Sequence, residues 1–220
     1  MSYQHRYLDG TEAQLPLGKI ICVGRNYADH AAELNNPIPT EPMLFIKPAS
    51  SVVDMSEPFA IPQGMGSVHF ETEMSVLIGS ELCKASEEEA KAAIVGVGLG
   101  LDLTLRDLQG KLKDKGHPWE KAKAFDGSCP LSVFAKAESV PDLQDVEIKL
   151  TVNGETRQHG NSSHMLNQVL PLISYTSQFF TLMPGDVILT GTPAGVGPIQ
   201  PGDQLQVDLA DLISVTTQAQ

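Results

Sequence analysis

The chain has 220 residues, 41% of them hydrophobic and 19% charged, enough for one substantial core. Its formal charge of −12 repels a phosphate backbone and argues against a nucleic-acid partner, yet leaves small anionic substrates open, because those respond to local cations. No apolar stretch approaches the roughly 18 residues that span a bilayer, the amino terminus lacks a signal-peptide core, and Cys22, Cys83 and Cys129 show no disulfide or zinc spacing. The expectation is a cytoplasmic protein with reduced thiols and no membrane partner.

Residues 1–18 carry turn residues and weak alternation and are predicted irregular. Lys19 to Val23 is a short buried strand that ends at Gly24. In the segment from Arg25 to Leu34, Asn26 is placed to cap a short helix, and Pro37, Pro39 and Pro42 forbid its extension. On that helix His30 and Glu33 lie three apart and share a face, a pattern that also fits an exposed polar surface. So short a helix is too weak to stand alone, and the segment from Arg25 to Pro42 is predicted to be mobile without a ligand and ordered when one binds. Met43 to Ile46 reads as a strand delivering Lys47, and proline and glycine up to Gly66 predict an irregular connection.

Glu71 to Gly79 reads as a strand in which Glu71 and Glu73 share one face while Thr72, Met74, Val76 and Ile78 take the other. Two carboxylates held that close repel, and hard oxygen ligands suit Mg²⁺, Mn²⁺ or Ca²⁺, although a lone Glu-x-Glu equally marks a solvated face. Asp102 interrupts an apolar, glycine-rich strand, Val95 to Leu105, where an unpartnered acid is costly; it is the candidate third ligand. Between them, Ser86 to Glu89 is a capping box opening a helix. Thr104 to about Lys115 reads as a helix ended by Gly116, with Arg106 and Gln109 three apart. Residues 117–130, with the sole tryptophan, Trp119, form a long loop of the kind that carries function. Asn153-Gly154 signals a hairpin, and His159 to Ser163 a polar turn. Met165 to Leu182 is helical and buried, with Pro171 dividing or kinking it. Val187 to Thr190 is a strand running into a glycine loop, Gly191 to Gly197, that can bring backbone N–H groups and Thr192 to a ligand; Gln204 to Leu209 is a further strand.

Six motifs stand in order: Gly24-Arg-Asn-Tyr-Ala-x-His, Phe45-Ile-Lys-Pro, His69-x-Glu-x-Glu, Leu101-Asp-Leu-Thr-x-Arg-Asp, Lys121-x-Lys-x-Phe-Asp and Leu189-Thr-Gly-Thr-Pro-x-Gly-Val-Gly. From about Lys19 to Leu209 the chain resembles the fumarylacetoacetate hydrolase superfamily, in particular its small branch of acylpyruvases, fumarylpyruvate hydrolases and oxaloacetate decarboxylases or tautomerases. The resemblance implies an α+β, mainly β fold, a mixed β-sandwich roll in a single catalytic domain over residues 1–220, usually a homodimer. It implies Glu71, Glu73 and Asp102 as ligands of Mg²⁺ or Mn²⁺, with Ca²⁺ able to replace them in a crystal, and Arg25, Lys47, Arg106, Gln109, Lys123 and Thr192 around the substrate. His30 and Glu33 would act as a base pair on a segment that closes over the metal, and Lys123 would join them in catalysis.

Such a site can hold the carboxylate and keto oxygens of a 2-oxo acid and stabilise an enolate. The first reading is hydrolytic C–C cleavage of an acylpyruvate such as fumarylpyruvate, with His30 activating water. The alternatives are oxaloacetate tautomerisation or decarboxylation, which share the enolate, and a catalytically silent 2-oxo-acid binder, which would need no His30.

Overall fold

Fifteen strands and five α-helices follow one another through residues 3–220, the part of the chain that the computed structural model describes. The apolar run after Gly18 becomes β1 (Ile20–Gly24), then α1 (Ala28–Glu33) and β2 (Met43–Lys47), antiparallel to β1. Two short strands, β3 (Val52–Asp54) and β4 (Val68–Phe70), interrupt the stretch expected to be irregular. β5 (Thr72–Ile78) is followed by α2 (Glu87–Ala93), which opens with the expected reciprocal Ser86–Glu89 capping box and runs into β6 (Ile94–Leu101). After β7 (Thr104–Leu105) come α3 (Arg106–Asp114), α4 (Glu120–Lys123) and β8 (Cys129–Leu131), so the predicted 117–130 loop holds a helical turn and the start of a strand. β9 (Ala135–Lys136) leads to the hairpin of β10 (Glu147–Val152) and β11 (Glu155–Asn161). Its turn residues Asn153 and Gly154 have φ of 50° and 83°, the left-handed pair that a two-residue hairpin turn needs. α5 (Val169–Phe179), β12 (Val187–Leu189), β13 (Gly197–Pro198), β14 (Gln204–Leu209) and β15 (Ile213–Gln218) complete the chain.

Three local expectations are corrected. Asn26 does not cap α1: the N-cap is Tyr27, without a side-chain bond. The Asn26 amide instead donates to Thr190 O at 2.8 Å and accepts from the Asn167 N–H at 2.7 Å, tying the start of α1 to two distant loops. Residues 159–161 continue β11 because β10 supplies ladder partners for them, so no turn forms there. Pro171 is the third residue of α5, in the first turn, where a missing N–H costs no helical bond; the helix starts around it and is not kinked by it.

The large sheet has the order β2-β1-β12-β5-β6-β8-β3, with β9 also on β6; β1–β12 and β3–β8 are parallel and the other pairs antiparallel. A four-stranded antiparallel sheet, β11-β10-β14-β15, packs on one face, and β13-β4-β7 form a small third sheet. The period of two in β5 sorts its side chains. Met74, Val76 and Ile78 join Ile148, Leu150 and Val207 of the four-stranded sheet in one core, while Leu77 joins Ile20, Leu189 and Phe134 on the opposite face. Glycine in β6 permits that second core: a Cβ at Gly100 would stand 2.5 Å from the Leu189 side chain, and one at Gly98 would stand 2.9 Å from Val133 O.

The irregular amino-terminal segment covers this second core, with Tyr3, Tyr7, Leu15 and Leu17 against it. His5 lies beneath it, buried, with Nε2 3.0 Å from Gly185 O, so Nε2 carries the proton. Burial holds the imidazole below its ordinary value of 6.5, against the weaker opposing effect of the Gly185 carbonyl. Because the folded-state value is depressed, the unfolded chain takes up a proton first as the pH falls through 6.5, and stability falls with it. His5→Gln, which keeps a donor for Gly185, is expected to flatten the slope of unfolding free energy between pH 6.5 and 5, a slope limited to about 1.4 kcal/mol per pH unit per group. Urea titrations across that range measure it, and identical slopes for the two proteins would refute the linkage.

Candidate active site

Glu71 and Glu73 flank the first residue of β5, and Asp102 follows the last residue of β6. The β5–β6 register sets Thr72 against Leu101 and Glu73 against Gly100, and the Asp102 N–H donates to Glu71 O at 2.8 Å. One oxygen from each of the three carboxylates lies within 4.8 Å of the others, and the side chains are buried.

Buried anions need compensation, and three cations converge on these. Lys123 Nζ donates to Glu71 Oε2 at 2.8 Å, Asp102 Oδ2 at 2.6 Å and Thr104 Oγ1 at 2.7 Å. Arg106 pairs with the other oxygen of Glu71 and donates to Gln109 Oε1 at 2.8 Å, so the i, i+3 spacing on α3 fixes the guanidinium. Lys47 Nζ lies 2.8 Å from Asp102 Oδ1 and donates to Lys123 O and to Ser128 O and Oγ at 3.0 and 3.1 Å. Lys47 was expected beside the substrate. It is fully buried at the inner end of β2, with its ammonium enclosed by Asp102 and backbone carbonyls, and it does not line the cleft.

The three acids are not equivalent. Burial, Asp102 and Glu71 push Glu73 well above the ordinary carboxylate range, and the Gly191 N–H at 2.6 Å opposes this. Burial also works to raise Glu71, but Lys123, Arg106 and His30 outweigh it and hold Glu71 well below its usual value. Glu73 has no cation within ion-pair distance among the described residues. A divalent cation shared by the three would let Glu73 ionise, and the all-oxygen donor set suits a hard metal: the residues fit one.

α1 lies over this cluster. His30 is buried, and burial holds its imidazole below the ordinary value despite Glu71 and Glu33 nearby, so the ring is neutral at pH 7. The expected His30–Glu33 pair is not hydrogen-bonded: Nδ1 and Oε2 are 3.6 Å apart. The Glu33 carboxylate instead accepts from the Gly195 N–H at 3.1 and 3.2 Å, latching α1 to the glycine loop. Arg25, in the left-handed region at φ 58°, reaches Pro37 O at 3.4 Å.

His30, Arg25, Arg106, Gln109, Lys123 and Thr192 thus share one cleft with the three carboxylates, and with α1 seated about 30 Å³ of free space is left inside. The cleft wall also includes residues outside the expected site set, among them Lys113 and Trp119, the ammonium 5.0 Å from the ring centroid. Burial, with Arg25, Arg106 and Lys123 adding, pushes Lys113 down to about 8. The sole tryptophan in a polar loop was the available signal.

A β-rich roll that gathers three buried hard-oxygen ligands, a neutral histidine and several cations in one cleft defines a divalent-metal enzyme for small anionic substrates. The chain belongs to the fumarylacetoacetate hydrolase family, whose C-terminal model, "Fumarylacetoacetate (FAA) hydrolase C-terminal", matches residues 19–220. It is 53% identical to the oxaloacetate tautomerase YcgM of Escherichia coli K12 over 98% of both chains. It is 42% identical to the mitochondrial oxaloacetate decarboxylase of Dictyostelium discoideum, over 88% of this chain and 89% of that one. Among solved structures, the fumarylpyruvate hydrolase of Pseudomonas aeruginosa in complex with Mn²⁺ and pyruvate superposes with a TM-score of 0.93 at 35% identity, covering 99% of this chain and 95% of that one. The α+β fold and the family expected from the six motifs both hold.

Proposed function

We propose that the protein is a divalent-metal-dependent oxaloacetate keto–enol tautomerase, the alternative of the sequence reading, ahead of acylpyruvate cleavage. The observation that carries it is the buried His30 in one cleft with the Glu71–Glu73–Asp102 cluster and Lys123, in a chain 53% identical to an oxaloacetate tautomerase.

Glu71, Glu73 and Asp102 would hold the cation, Mg²⁺ in this reading. When bound, it supplies Lewis-acid stabilisation of the enolate form of a 2-oxo acid. His30 takes a proton from the substrate carbon next to the keto group and delivers it to the enolate oxygen, and the same two transfers run backwards from enol to keto. Lys123 stays cationic, because Asp102 and Glu71 lift it above its ordinary value despite burial, and it opposes negative charge developing on the substrate. Arg106, Gln109, Arg25 and Thr192 hold the remaining carboxylate oxygens. Lys47 acts behind them by fixing Asp102. In this reading α1 opens to admit substrate and closes to exclude water, which favours proton transfer over hydrolysis, and the small free space under the seated helix supports it.

One catalytic domain, a homodimer and a cytoplasmic address complete the reading. The half-buried edge strand β2 and the exposed Ile38, Met65 and Phe179 support a second copy, and the free Cys22, Cys83 and Cys129 suit a reducing compartment. Among the described residues no helix is long and apolar enough to cross a membrane.

A second reading, acylpyruvate hydrolysis, draws on the likeness to fumarylpyruvate hydrolase. The test follows loss of oxaloacetate enol absorbance with Mg²⁺ and with EDTA, beside pyruvate release from fumarylpyruvate and from oxaloacetate. Metal-dependent enol conversion faster than either release is expected. Rapid pyruvate release from fumarylpyruvate without enol conversion would replace tautomerase by hydrolase.

A further inference from the structure

We propose that Gln158 is a positioning residue that makes Thr192 a hydrogen-bond donor toward an anionic oxygen of the substrate. The proposal rests on the reading of the cleft as a 2-oxo-acid site.

Gln158 lies on β11, the edge of the four-stranded sheet, and is 1% exposed between the exposed Arg157 and His159. The register explains how an edge residue turns inward: Leu150 opposes Gln158 but Thr151 opposes Thr156, so Arg157 is an extra residue in a bulge, and a bulge re-aims its neighbours. The bulge is pressed onto the loop that carries Thr192, since a Cβ at Gly195, whose φ is 98°, would stand 1.9 Å from Arg157 O.

The amide makes three bonds. Its oxygen accepts from the Thr72 N–H at 2.9 Å, and its nitrogen donates to Thr192 Oγ1 at 2.7 Å and to Pro193 O at 2.8 Å. This orientation has no alternative flip: a backbone N–H only donates and a carbonyl only accepts, so the oxygen must face Thr72 and the nitrogen Pro193. Thr192 Oγ1 is therefore an acceptor toward Gln158. Its own hydrogen has no acceptor among the described residues, and Thr192 lines the cleft. A hydroxyl set in this way meets a carboxylate or enolate oxygen as a donor and discriminates against groups that can only donate. The same amide pins Thr72, the residue between Glu71 and Glu73, so one side chain aligns the metal-ligating strand and the substrate-holding loop.

The test is a double-mutant cycle of Gln158→Met with Thr192→Val. Calorimetry with saturating Mn²⁺ measures the Kd of oxalate, a flat dianion, and KM and kcat are measured with oxaloacetate. Gln158→Met is expected to raise the oxalate Kd and KM about tenfold, the worth of one charge-assisted hydrogen bond, with a smaller change in kcat. In the Thr192→Val background the same substitution is expected to add nothing to Kd. Gln158→Glu keeps an acceptor for Thr72 and offers Thr192 an acceptor in place of a donor. It is expected to weaken oxalate similarly while leaving Thr72 amide exchange slow in the metal-free protein, and it serves if Gln158→Met does not fold. Additive losses in the cycle, or an oxalate Kd unchanged by both Gln158 variants, would overturn the positioning role alone. Wild-type protein that binds no oxalate with Mn²⁺ would overturn the functional reading and this proposal together.

Discussion

Glu73→Gln is expected to abolish metal-dependent turnover while raising the melting temperature of the metal-free protein, and Asp102→Asn to abolish turnover while lowering it. Both residues are buried and both are placed as ligands, yet their surroundings differ in sign. Glu73 is 1% exposed, accepts one bond from Gly191, and meets two other carboxylates with no cation of its own among the described residues. A neutral amide of the same shape removes that repulsion, and each kcal/mol gained raises the midpoint by about 2–4 °C in a protein of this size. Asp102 instead carries two ammonium groups, Lys47 at 2.8 Å and Lys123 at 2.6 Å, and Lys47 is fully buried. Neutralising Asp102 leaves an uncompensated buried charge, which costs about 3–5 kcal/mol. Thermal melts in EDTA and with Mn²⁺, together with calorimetric titration of the metal, measure both effects. Metal-dependent turnover surviving in Glu73→Gln, or a metal-free Asp102→Asn as stable as wild type, would remove the basis of this assignment.

His30→Ala is expected to lower kcat for oxaloacetate tautomerisation by about 10²- to 10⁴-fold, the usual worth of a positioned base. Lys123 cannot take over as base, because Glu71 and Asp102 hold it as a cation. Glu33→Ala is expected to act differently from His30→Ala, since its carboxylate bonds the Gly195 N–H and stands 3.6 Å from His30 Nδ1. It should unlatch α1, raising KM and speeding amide exchange over residues 28–34, with a smaller loss of kcat. Steady-state kinetics and exchange on the two variants separate the roles. Equal kcat losses would restore the His30–Glu33 base pair that the family resemblance implied.

Local chemistry by itself determined much of this protein. The period of two places Glu71 and Glu73 opposite Met74, Val76 and Ile78, Ser86 and Glu89 start α2, and Asn153-Gly154 turns the β10–β11 hairpin. Each depends on dihedral preferences and hydrogen bonds within a few residues, so each was legible without a structure. The acid in the apolar β6 run was legible as an anomaly, but its place beside Glu71 and Glu73 was decided by the β5–β6 register. The tertiary structure alone decided which polar group meets which. Lys47 goes behind Asp102, Asn26 to Thr190, Glu33 to Gly195, and Gln158 to Thr72 across 86 residues of chain. Such choices follow from sheet order, a bulge and a close glycine contact acting together, and a buried polar group takes whichever partner that assembled geometry offers.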